Sequence, residues 1–199
     1  MIAIIDYGVG NLASVANAFA QLGFQTCITS DPDEVLKADR VVLPGVGAFA
    51  DAMDNLKKTG MDLVIHETVT RNIPLLGVCL GLQLLFTFSE ENGIHEGLDI
   101  IKGQVLRIPP LYKVPHMGWN EVRPEPASRL FRGIPAGSYY YFIHSYYVVP
   151  DNKDWVAGTT DYGFNFTCAV EKDNVFATQF HPEKSSTPGL QILKNFGEL

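Results

Sequence analysis

Residues 72–88 read Asn-Ile-Pro-Leu-Leu-Gly-Val-Cys-Leu-Gly-Leu-Gln-Leu-Leu-Phe-Thr-Phe, and they narrow the possible folds more than any other stretch of the chain. The apolar run 73–78 is short and bounded by Asn72 and Gly77, which fits a strand buried on both faces, and the leucines after Gly81 recur at helical spacing. Cys79 therefore sits on a strand-to-helix turn, flanked by Gly77 and Gly81 as G-x-C-x-G. Small neighbours allow a sharp turn that presents a nucleophile at the carboxyl edge of a sheet. The N–H groups and positive dipole end of the following helix then point at the sulfur and favour thiolate. Taken alone, the five residues suit a small buried core thiol equally well.

A second stretch, Gln179-Phe180-His181-Pro182-Glu183, supplies partners for that sulfur. The strand-like run 175–180 leads directly into His181, and in extended chain an i, i+2 pair projects to one side, so Glu183 reaches the region of the imidazole. Pro182 fixes the backbone between them. Cysteine, histidine and carboxylate in this order provide a nucleophile, a base and a group that orients the base. His144 competes for the role of base because it too follows an aromatic run, but no acid lies at short spacing from it. His66, His95 and His116 have no acid at motif spacing either and read as surface or structural residues.

At 199 residues with 46% hydrophobic composition the chain is expected to form one domain, 1–199, around one substantial core. A formal charge of −7 and the lack of any Lys/Arg block argue against nucleic acid as a partner, since phosphate contacts need a basic face. Three cysteines, at 27, 79 and 168, cannot all pair, and their spacing is not that of a zinc site, so no metal is expected, and Cys27 and Cys168 are expected to pack inside strands as reduced thiols. The first six residues lack a basic leader, and the longest apolar stretch falls short of the roughly 20 residues that span a bilayer. A cytoplasmic protein without membrane contact is the expectation.

Strand-helix alternation through Ser89 predicts an α/β fold with a central, mostly parallel sheet flanked by helices. Strands are expected at 2–5, 26–29 and 41–43, and helices at 49–58 and 61–71. Short β-branched or aromatic runs at 103–108, 121–123, 139–142, 146–149, 156–162, 166–171 and 175–180 predict antiparallel strands added by the second half. A helix over 188–196 closes the chain, with Leu190, Leu193 and Phe196 facing inward. Gly8-Val9-Gly10-Asn11-Leu12-Ala13 satisfies the dinucleotide fingerprint G-x-G-x-x-G/A, with Asp31 near the expected distance. Asp31-Pro32-Asp33-Glu34 fits a helix start equally, with Asp31 as N-cap and Pro32 in the first turn.

Several segments together are more selective than the elbow. G-V-C-L-G-x-Q after a buried strand, P-G-V-G-A-F at 44–49 and H-P-E at 181–183 resemble the triad, or class I, glutamine amidotransferases. Within that family D-Y-G-V-G-N-L-x-S-V, P-H-M-G-W-N and Y-Y-F-x-H-S-Y resemble the glutaminase subunits of imidazole glycerol phosphate synthases, from histidine biosynthesis. The resemblance runs from Asp6 to Glu183. It implies that Cys79, His181 and Glu183 hydrolyse L-glutamine through a thioester without a cofactor. It also implies that ammonia passes to a (β/α)8-barrel synthase subunit, held as a heterodimer, that makes imidazole glycerol phosphate and AICAR.

Acyl transfer needs donors aimed at a tetrahedral oxyanion. The Leu80 N–H is one candidate, and the Gly45-Val46-Gly47 segment supplies another at Val46 or Gly47. From residues alone that segment also fits an ordinary strand-to-helix loop; the resemblance assigns it to the oxyanion. By resemblance Gln83 and Glu91 lie toward the substrate's α-amino group, and His144 with the Ser145 and Tyr146 backbone toward its α-carboxylate. By composition Glu91, beside Glu90 at the close of the elbow helix, suits a solvated face, and Tyr146 a core. The resemblance further places Asn11, Met117, Trp119, Tyr141 and Lys184 at or near the partner interface, although the run 139–142 alone also suits a sheet core.

Overall fold

The computed structural model describes all residues from Met1 to Leu199. In chain order the elements are β1 (Ile2–Ile5), α1 (Leu12–Gln21), β2 (Thr26–Thr29), α2 (Pro32–Lys37), β3 (Arg40–Leu43), α3 (Phe49–Thr59), α4 (Met61–Thr70), β4 (Leu75–Val78), α5 (Leu80–Leu84) and β5 (Phe86–Ser89). There follow β6 (His95–Glu96), β7 (Ile101–Arg107), β8 (His116–Glu121), β9 (Arg123–Pro124), β10 (Tyr139–His144), β11 (Tyr146–Pro150), β12 (Val156–Asp161), β13 (Asn165–Lys172), β14 (Val175–Thr178) and α6 (Ser186–Gly197).

One sheet carries most of these strands in the order β2-β1-β3-β4-β14-β13-β11-β7-β5-β6, and β12 joins β13 to β9 at its side. The first five strands are mutually parallel; β13, β11 and β7 continue antiparallel, and β5 runs parallel to β7. This is the arrangement expected from the sequence, a parallel half extended by antiparallel strands.

Alternation along β1 shows how the sheet sorts its side chains. Ala3 and Ile5 join the core beneath α2, α3 and α4, whereas Ile2 and Ile4 join the core beneath α1 and α6. Both faces are covered, so the strand is apolar throughout. On α6 the inward residues are Ile192, Leu193 and Phe196, and Leu190 is half-buried.

Three expectations are corrected. The elbow helix stops at Leu84, because β5 begins at Phe86 and takes its place beside β7, so Glu91 follows a strand instead of closing a helix. The strand expected at 121–123 lies earlier, at His116–Glu121, paired with β10 as a two-stranded ribbon apart from the main sheet. Cys168 is fully buried in β13, but Cys27 is only half-buried, since β2 is an edge strand.

Candidate active site

Parallel pairing closes the long sequence gap between Cys79 and His181. β14 lies beside β4 with Thr178 opposite Val78, and the Cys79 N–H donates to the Thr178 carbonyl at 2.8 Å. Both strands therefore end together. Cys79 adopts φ 57° and ψ −110°, a conformation unfavourable for a residue with a Cβ. The flanking glycines permit the turn: a Cβ on Gly81 would fall on the Leu43 carbonyl oxygen, and one on Gly77 would lie 2.8 Å from the Gly81 oxygen.

Past β14 the chain turns, and Glu183 stands in the 3-10 turn Pro182–Lys184, not in extended chain as alternation suggested. That turn swings the carboxylate back onto the ring, and His181 Nδ1 meets Glu183 Oε1 at 2.8 Å with the two side chains 4% and 1% exposed. The backbone here is clamped, since the His181 N–H donates to Tyr141 O at 3.0 Å and the Ser185 hydroxyl donates to His181 O at 2.6 Å. Burial works to lower the His181 pKa, but the neighbouring Cys79 sulfur and the hydrogen-bonded Glu183 carboxylate override it and push the pKa up to about 10. The ring is thus held as imidazolium, with Nδ1 on the carboxylate and Nε2 left for the sulfur.

Cys79 and His181 open onto a cavity of about 340 Å³ whose wall includes Val46, Gly47, Leu80, Gln83, Glu91, His144, Ser145, Tyr146 and Lys184. The expected oxyanion and substrate residues thus converge on one site. The loop before Val46 is anchored, because the buried Tyr7 hydroxyl donates to Pro44 O at 2.9 Å. Past it the loop is free: Val46 is 43% exposed, and Gly47, at φ 94°, has no neighbour within 4 Å of a would-be Cβ. Across the cavity, Glu91 Oε2 accepts the first N–H of α3, from Phe49, at 2.8 Å. Its carboxylate is therefore fixed at the cavity wall and not spread on a solvated face.

His144 has partners after all. The ribbon register sets it opposite His116, whose Nδ1 lies 2.9 Å from His144 Nε2, while His144 Nδ1 lies 2.8 Å from Tyr146 O. A carbonyl only accepts, so Nδ1 of His144 carries a proton and Nε2 accepts from His116. Burial lowers the His144 pKa to about 3 and the His116 pKa to about 4. Two neutral rings with their nitrogens engaged leave His181 as the ring that shares the cavity with the Cys79 sulfur and has a nitrogen free.

The same ribbon separates core from surface by alternation. Tyr140 and Phe142 are buried, while Tyr139, Ile143, Met117 and Trp119 are exposed, the last two at 58% and 53%. Tyr141 sits opposite Trp119, ring centroids 6.2 Å apart and edge to face. Asn11 is exposed beside a small cleft reaching Glu183, and Lys184 is exposed at the cavity rim. Of the five residues expected at an interface, four are exposed and Tyr141 is half-buried.

The family model for glutamine amidotransferase class-I matches residues 3–198. The chain is 57% identical over its whole length to imidazole glycerol phosphate synthase subunit HisH of Moorella thermoacetica, covering 94% of that protein. It is 53% identical to the HisH of Syntrophotalea carbinolica, over the full length of both. This chain belongs to the HisH branch of the class I glutamine amidotransferases. Among solved structures, PurLQS from Thermotoga maritima superposes with a TM-score of 0.78 at 16% identity, covering 99% of this chain and 97% of that one, a likeness of fold.

In this HisH-family chain the dinucleotide fingerprint is spent otherwise. Asp31 caps α2, accepting the Asp33 N–H at 2.8 Å, and Gly8 and Gly10 take φ of 90° and 124° in the turn before α1. No cluster of three His, Cys, Asp or Glu side chains could hold a metal, and no helix is long and apolar enough to cross a membrane. Sequence reasoning missed His116, Tyr7 and Gln179, whose amide Nε2 lies 3.9 Å from Cys79 Sγ. For Gln179 a signal existed in its place next to Phe180-His181; for His116 only the ribbon register reveals the partner.

Proposed function

We propose that this chain is a single-domain glutaminase in which Cys79, His181 and Glu183 carry the chemistry. The sulfur attacks the side-chain amide carbon of L-glutamine, and the oxygen takes negative charge beside the Leu80 N–H and the Val46-Gly47 peptide. His181 gives its proton to the departing nitrogen, ammonia leaves, and a thioester remains on Cys79. His181 then takes a proton from water, whose oxygen attacks the thioester and releases glutamate and the sulfur. Glu183 holds Nδ1 throughout and balances the imidazolium charge. Gln83 and Glu91 receive the α-amino end of the substrate, and His144, Ser145 and Tyr146 the α-carboxylate end.

The relatives are named as subunits of imidazole glycerol phosphate synthase. Accordingly the ammonia is passed to a (β/α)8-barrel cyclase subunit in a cytoplasmic heterodimer of histidine biosynthesis. The exposed Met117, Trp119, Asn11 and Lys184, with the half-buried Tyr141, dock on that barrel. The observation that carries the reading is the buried 2.8 Å His181–Glu183 pair facing the strained Cys79.

Glutamate release from glutamine, measured on the chain alone and with the barrel subunit and its nucleotide, tests it. Hydrolysis that rises on complex formation and disappears in Cys79→Ser is expected; equal hydrolysis by Cys79→Ser overturns the reading.

A further inference from the structure

Gln179 is fully buried, lies outside the cavity wall, and belongs to none of the roles assigned above. Its side chain is the last link of a buried polar chain whose directions follow from one fixed acceptor. The Tyr146 carbonyl can only accept, and it takes His144 Nδ1 at 2.8 Å and Gln83 Nε2 at 3.1 Å. Gln83 must therefore turn its NH2 toward Tyr146, and the second hydrogen of that group donates to Gln179 Oε1 at 2.9 Å. With its oxygen so engaged, Gln179 has only its NH2 to offer the sulfur, 3.9 Å away. Gln83 and Gln179 are 5% and 0% exposed, so water does not compete for these groups.

We infer that Gln179 is a further residue of the reaction, an amide donor to the Cys79 sulfur whose orientation is imposed by Gln83 and the Tyr146 carbonyl. Resting on the glutaminase reading, the consequence is a wiring of the substrate-gripping strand to the nucleophile. Displacing Tyr146 turns Gln83, which releases Gln179 and withdraws a donor from the sulfur. A donor N–H favours a negative sulfur, whereas an oxygen in the same place opposes it.

Iodoacetamide alkylation of Cys79, followed by peptide mass spectrometry in a Cys27→Ser background, reads this without glutamine. Failure of the glutaminase reading would therefore leave the result intact. Gln179→Leu is expected to slow alkylation at neutral pH about tenfold, as loss of a hydrogen bond to a charged atom implies, and to move the pH profile upward. Gln179→Glu, which keeps the shape but offers oxygen, should slow it further. Where the Gln179 variants fail to fold, Gln83→Leu, which frees the Gln179 amide, should move the profile in the same direction. Alkylation profiles matching the parent in the folded variants would overturn the inference.

Discussion

The Cys79 amide donates to the Thr178 carbonyl across 2.8 Å, and through that bond two segments distant in the chain become one end of a sheet. Parallel pairing of β4 with β14 in the register Val78 to Thr178 leaves Cys79 and Gln179 at the same height, with His181 one turn of chain beyond. The register is fixed by apolar side chains on both faces, so the positions of Cys79 and His181 are set by core packing.

Backbone strain at Cys79 predicts an inverted order of stability. Glycine normally destabilises relative to alanine, but at φ 57° and ψ −110° it relieves the clash of a Cβ. Cys79→Gly should be more stable than Cys79→Ala by about 1 kcal/mol in urea denaturation, and both should lack glutamine hydrolysis. Equal or reversed stabilities would refute strain at the elbow.

Gly81 leaves no room for a methyl group, because the Leu43 carbonyl occupies its place. Gly81→Ala should cost about 3 kcal/mol, read as a fall in the thermal midpoint, as the elbow is pushed off β3. Gly47→Ala meets no neighbour and is penalised only by its φ of 94°. It should cost about 1 kcal/mol of stability while slowing hydrolysis more than stability suggests.

Glu183→Gln preserves shape and burial but removes the charge that balances the imidazolium. A fall in kcat on the order of 100-fold or more with little change in KM is expected, as for loss of an orienting carboxylate. The pH profile of hydrolysis should shift as well, because Glu183 is one of the groups holding His181 near 10. A kcat within threefold of the parent would refute the orienting role.

Protonation of the histidines acts on stability in opposite directions. His181, raised to about 10 from near 6.5, contributes stability that is full below its ordinary pKa and is lost as pH rises through about 10. His144 and His116, lowered to about 3 and about 4, contribute stability that is full above 6.5 and is lost as pH falls toward those values. Between pH 7 and pH 4 the buried pair should cost on the order of 3 kcal/mol or more. Unfolding titrations at both pH values test this, and His116→Gln should flatten the acid limb.

Trp119→Ala removes an exposed ring that stacks edge to face on Tyr141 and buries little in the isolated chain. Its thermal midpoint should hardly move, while affinity for the barrel subunit falls by about 2 kcal/mol, seen by sedimentation of the mixture. Unchanged association would place the docking face elsewhere.

What the sequence disclosed and what it hid have physical reasons. Gly77-x-Cys79-x-Gly81 and His181-x-Glu183 carry their chemistry in local order, so the converging site was legible. The half-parallel, half-antiparallel sheet was legible from strand-helix alternation followed by short β-rich runs. The length of α5 was hidden, because leucines at helical spacing also suit a short turn followed by a buried strand, and β5 wins through pairing with β7. The means by which Glu183 reaches His181 was mistaken, since Pro182 opens a 3-10 turn where alternation would extend the chain. The His116–His144 and Gln83–Gln179 pairs join residues distant in sequence, and no local pattern announces them.

The central claim is that the sulfur of Cys79 becomes acylated by glutamine. Intact-protein and peptide mass spectrometry after exposure to a glutamine-derived electrophile tests it most directly. The account predicts one adduct, on Cys79, absent in Cys79→Ser and slowed in Glu183→Gln. An adduct on Cys27 or Cys168 with Cys79 unmodified, in a preparation that hydrolyses glutamine, would contradict it.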